Sequence, residues 1–101
     1  MAAALGLFPV EVARRDEARR LFHAAEAARD KSYARWQAVQ RRAPDSGEAK
    51  VALNYYRFLV DEADRAETRA GHADQALEAL RRERNYARAR QWKADRRRQA
   101  S

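Results

Sequence analysis

Few side chains in this sequence have the type and spacing to do chemistry. His23 and His72 are the only histidines, and neither belongs to an H-x-x-x-H or E-x-x-H pair. Those spacings would place two ligands on one helix face. Both imidazoles read as solvated side chains. There is no cysteine, which excludes a disulfide framework, a thiolate metal site and a cysteine nucleophile. No glycine-rich phosphate loop exists among only three glycines. The carboxylates alternate with arginines at helical spacing, as in Asp61 with Arg65 and Glu78 with Arg82. Such pairs are surface contacts worth about 0.2–0.5 kcal/mol. No catalytic residue, metal ligand or cofactor site is expected, and the chain reads as a non-enzyme.

What remains is charge with aromatics set in it. The formal charge is +7, carried by 22 Lys and Arg against 15 Asp and Glu. Between Arg81 and Arg98 lie nine basic residues opposed only by Glu83 and Asp95, so the rest of the chain is neutral. The excess charge of the protein therefore sits at its C-terminal end, where a charge-driven partner is expected. Tyr86 and Trp92 interrupt this segment, and Trp92 follows Arg88 by four residues, a spacing suited to cation–π stacking. The candidate partner-binding residues are Arg84, Arg88, Arg90, Trp92, Lys93, Arg96 and Arg97. The alternative is a solvated tail whose charge suits a helix C-terminus.

The largest apolar concentration is Tyr55, Tyr56 and Phe58, with Trp36 across a turn. It reads first as a hydrophobic plug. Tyr55 and Phe58 do not share the apolar seam of their helix, so Trp36, Tyr55 and Phe58 are also a candidate docking patch, with Arg57 beside them.

The elements that must position these groups are helices. Charged residues make up 37% of the chain and only two prolines occur, a balance typical of long helices and coiled coils. Residues 1–8 form a lead. Pro9 opens the first helix, and nothing interrupts it to about Arg42. Small and apolar residues recur at Val10, Ala13, Ala18, Leu21, Ala25, Ala28, Ser32 and Val39, flanked by Phe22 and Trp36. Residues 43–47 (Ala-Pro-Asp-Ser-Gly) form a turn, with Asp45 and Glu48 read as a capping box restarting the helix. The second helix spans 48–98, its basic extension beginning at 81. Its seam runs Ala49, Ala52, Tyr56, Leu59, Ala63, Ala66, Ala70, Ala73, Leu77, Leu80, Arg84, Ala87, Gln91 and Ala94 in alternating steps of three and four. This is the repeat of a coiled coil. It continues in phase across Gly71, so an unbroken helix is expected; a break there would give a third helix and a three-helix bundle.

The expected fold is thus all-α: one antiparallel two-helix hairpin whose second helix is longer and overhangs. Placing Val39 near Val51 sets Leu21 against Ala70, Ala28 against Ala63, Ser32 against Leu59 and Val10 against Leu80. Leu5, Leu7 and Phe8 then wrap the next turn, and residues past about Arg84 project beyond the first helix. A seam this rich in alanine buries little, so self-association or a covering partner is expected. No apolar run approaches the ~20 residues of a membrane span. The opening MAAALGLF lacks a basic n-region and reads as mature sequence. A cytoplasmic setting without membrane insertion is the expectation.

The hairpin layout from Val10 to Arg98, the NYYRFL opening of the second helix and its Arg/Lys-dense end resemble the coiled-coil stalk proteins of flagellar and type III secretion export gates. That resemblance implies protein transport as the setting and an acidic protein surface as the target of the basic arm. A different reading treats the arm as a nucleic-acid binder, as in a small ribonucleoprotein subunit, with Tyr86 and Trp92 stacking on bases.

Overall fold

A computed structural model of the chain describes residues 8–100 and contains two helices, α1 (Pro9–Arg42) and α2 (Gly47–Ala100). They pack side by side as an antiparallel hairpin 84 Å long and 22 by 16 Å across. Phe8 takes a left-handed conformation (φ 55°) before Pro9, and its carbonyl accepts the first helical hydrogen bond from the Val12 N–H. Leu5 and Leu7 lie outside the described residues.

The turn is built differently from a capping box on Asp45. Asp45 adopts a left-handed conformation (φ 55°) and exchanges two hydrogen bonds of 3.3 Å with the Gln40 amide. A short polar side chain tolerates that conformation better than most. Ser46 is the cap: its Oγ accepts from the Ala49 N–H at 3.1 Å, three residues on. Glu48 instead reaches across the turn to Arg42 at 2.7 Å. The cap moves by one residue because Pro44 and Asp45 are used to reverse the chain, leaving Ser46 as the first side chain that faces the new helix.

α2 is one continuous helix of 54 residues, passing through Gly71 without a break. A Cβ placed on Gly71 would meet nothing within 4 Å, so this glycine is not there to let backbones approach. The α2 seam is the one its repeat gives. Ala49, Ala63, Ala66, Ala70 and Leu77 are buried, and Ala52, Tyr56, Leu59, Ala73, Leu80 and Arg84 are partly buried between them.

The register also holds along the hairpin. Trp36 meets Tyr56 near the turn, and Arg19 meets Asp74 at 2.8 Å, 17 residues back along α1 and 18 forward along α2. What changes is the rotation of α1. Leu21 is 47% exposed and Val10 55%, with Ala13 and Ala28 also exposed. The face turned to α2 carries Arg15, Ala18, Phe22, Ala25, Arg29, Ser32, Trp36 and Val39. This rotation partly buries two aromatics, Phe22 and Trp36, in place of Leu21 and Ala28, and more apolar area leaves water. Its consequence is two arginines on the seam, tolerated because their methylene stems pack while the guanidinium heads reach the edge. There Arg15 pairs with Asp16 and Arg29 with Asp30. Val51, set near Val39 by the sequence, points outward at 69% exposure.

Among the described residues no helix is long and apolar enough to cross a membrane.

Candidate interaction sites

Two features of the surface carry more than solvation requires. The first is the end of α2. Phe8 starts α1 close to the level of Arg84, which is partly buried at the top of the seam. Beyond it all of α2 is exposed except Ala94 and Asp95, which remain partly covered. These 16 residues extend the rod by about 24 Å at ~1.5 Å rise per residue. Of the sequence-assigned arm, Arg88, Arg90, Trp92, Lys93, Arg96 and Arg97 stand on this overhang, whereas Arg84 belongs to the end of the coil.

The overhang is organised by local contacts. Arg96 lies over the Trp92 indole, 4.8 Å from the ring centre. The cation above Trp92 is therefore Arg96 and not Arg88, since the side chain four residues on meets the ring from its C-terminal side. Gln91 donates to Asp95 at 3.1 Å, and Arg98 approaches the same carboxylate at 4.0 Å. At the base of the overhang Arg82 pairs with Glu78 at 3.7 Å. Tyr86 and Trp92 are 65% and 58% exposed, and neither ring packs into the hairpin.

The second feature lies near the turn, and there the structure divides the group Trp36, Tyr55 and Phe58. Trp36 belongs to one edge of the hairpin, where its ring, Tyr33 and Tyr56 form a cluster. Tyr33 and Tyr56 meet edge to face at 5.1 Å. This is the aromatic plug, and Tyr33 is its member that the sequence did not single out. Tyr55 and Phe58 lie on the other side, stacked at 6.4 Å and both more than half exposed. Val51 joins them one turn earlier. The spacing of Val51, Tyr55 and Phe58 is that of one helix stripe, displaced from the seam by a single residue. That offset was the available signal for Val51.

The chemistry-bearing residues stay apart. His23 stacks on Phe22 and lies 3.2 Å from Glu26, while His72 is exposed, and no contact joins the two imidazoles among the described residues. No group of three or more His, Asp or Glu in the described residues could hold a metal ion. Of the surface pairs, Glu78–Arg82 forms, whereas Arg65 takes Glu62 at 2.6 Å in place of Asp61. The exposed Glu17 is hydrogen-bonded by Arg20, which holds its carboxyl below the usual range.

Comparison with protein-family models, with curated proteins and with solved structures finds no match.

Proposed function

We propose that this protein is a non-catalytic helical assembly module that grips an acidic protein surface through the overhanging basic end of α2. In this reading it serves as a stalk-like component of a secretion-export apparatus. The observation that carries the proposal is the coincidence of three properties on the helix end past Arg84: most of the excess charge, two exposed aromatic rings, and little packing against the described part of the hairpin. A tail of simple solubilising charge has no use for Tyr86 and Trp92, which cost free energy in water. Aromatic anchors among arginines are instead the composition of interface hot spots. The slender hairpin supplies length and rigidity behind that end. Among the described residues Leu77 is its largest fully buried side chain, so much of its surface is left for contacts with other proteins or with a second copy.

The stacking of Arg96 on Trp92 bears on the choice of partner. It covers one face of the indole that a nucleobase would need, and an arginine held in this way presents its donors to carboxylates. A nucleic-acid partner is the competing reading. The test compares binding of the full chain to poly-L-glutamate-rich protein surfaces and to mixed-sequence single-stranded RNA at ~150 mM salt, where exposed charges are screened beyond ~8 Å. Tail-dependent binding to acidic protein with weak RNA binding supports the proposal. Submicromolar, tail-dependent RNA binding at that salt overturns it.

A further inference from the structure

The two edges of the hairpin are filled unequally near the turn. Tyr33, Trp36 and Tyr56 close one edge. On the other the helices meet through small residues, Ser32 of α1 and Ala52 of α2, and side chains of that size leave space between the backbones. A cleft of about 570 Å³ lies there. One wall is Ser32, Arg35 and Val39, and the other is Val51, Ala52 and Tyr55. Steps of three and four residues put each set on one face of its helix. Gly47 and Glu48 stand at the turn end. A concave space of this size with mostly apolar walls and a few polar groups has the character of a small-molecule site.

Two of its polar groups lack the partners they need. Ser32 is only 6% exposed, yet its hydroxyl makes no hydrogen bond among the described residues. A buried hydroxyl in that state costs free energy, and most such groups in folded proteins are satisfied. Arg35, three residues on, makes no ion pair or hydrogen bond among the described residues either. The sequence gives it no acid to reach: the positions three and four away are Lys31, Ser32, Ala38 and Val39. A hydroxyl donor and a guanidinium on one helix face select an anion with oxygen acceptors. One free guanidinium in an apolar cleft matches the single charge of a carboxylate better than the two of a phosphate monoester.

The one acid in the cleft does not oppose this. Glu48 is held by Arg42 at 2.7 Å. Since Trp36 meets Tyr56, Arg35 stands level with about Arg57, roughly nine residues or ~13 Å along α2 from Glu48. The cation and the acid are thus at opposite ends of the space.

We infer that this cleft binds a small apolar monocarboxylate. Its carboxylate is held by Arg35 and the Ser32 hydroxyl, and its hydrocarbon body lies between Val39, Val51, Ala52 and Tyr55.

Titration of the full ¹⁵N-labelled chain with octanoate at ~150 mM salt, followed by amide chemical shifts, tests this. A dissociation constant of about 0.1–1 mM is expected for a ligand of this size, with shifts centred on residues 32–39 and 47–55. Octanol and octylamine are expected to bind at least fivefold more weakly. Arg35→Gln weakens octanoate binding about fivefold or more. Ser32→Ala weakens it about threefold while leaving the urea midpoint unchanged or raised, because the hydroxyl has no partner in the free protein. A serine that serves only to pack would move the midpoint and not the affinity. Octanoate shifts confined to residues 85–100 assign binding to the general charge of the overhang and overturn the inference. So do equal binding of octanol, an Arg35→Gln variant that binds as wild type does, or no saturable shift up to ~10 mM. Trp92→Ala, which the overhang's role predicts to lose protein binding, is expected to bind octanoate unchanged, so the two proposals fail independently.

Discussion

The guanidinium of Arg96 sits over the indole of Trp92, 4.8 Å from the ring centre, on a stretch of α2 that has no helix beside it among the described residues. The pair is held by local helical geometry alone, and it is presented to whatever approaches the end of the rod. At an exposed site such stacking is worth about 0.5–1 kcal/mol. It is enough to preorganise the side chains without tying them to the hairpin.

Trp92→Ala is therefore expected to leave the urea midpoint of the hairpin unchanged while weakening partner binding about tenfold or more, as loss of an interface anchor does. Deleting residues 87–101 should abolish binding and leave both helices of the hairpin, 9–42 and 47–84, intact. If the truncated chain loses its helical signal in circular dichroism, the overhang has a structural role and the division drawn here is wrong.

Leu77 is 1% exposed and, among the described residues, is the only large side chain so completely buried. Leu77→Ala should cost about 2–5 kcal/mol, the range for a core leucine. In a core otherwise made of Val39 and four buried alanines, that loss is comparable to much of the stability of a small domain. Urea unfolding followed by circular dichroism reads it directly, and a change below ~1 kcal/mol would show that this end of the hairpin is not packed as described.

Gly71 occupies a helical position where an added methyl meets nothing within 4 Å. Gly71→Ala is expected to stabilise the protein by ~0.5–1 kcal/mol, through helix propensity and a less flexible unfolded chain. A lower melting temperature in this variant would mean that the glycine is needed for a bend or a contact with another molecule.

Ser46 and Asp45 separate cap from turn. Ser46→Ala removes the hydrogen bond to the Ala49 N–H and should cost about 1 kcal/mol. Asp45→Gly places a residue without a side chain at the left-handed position and should be close to neutral, since it loses the Gln40 contacts but relieves the backbone. Equal destabilisation by both substitutions would return the capping role to Asp45.

The sequence by itself determined the two helices, the turn between them, the α2 seam from Ala49 to Arg84 and the register that leaves the basic end uncovered. Each of these follows from a signal that is one-dimensional: a proline, a long heptad, and the arithmetic of folding a chain back on itself. It did not determine which face α1 turns to its partner. In α1, alanines occupy neighbouring tracks, and Leu21 beside Phe22 supports two seams of similar hydrophobicity. Only packing in three dimensions chose between them. Burying Phe22 and Trp36 removes more apolar area than burying Leu21 and Ala28, and the arginine stems at 15 and 29 fill the gaps this creates. The same packing drew Trp36 to one edge with Tyr33 and Tyr56, and left Tyr55 and Phe58 with Val51 on the other. A single patch in sequence thus became a plug and an open face. The reason is that a helix one residue wide of its seam points some 100° away from it, at ~3.6 residues per turn.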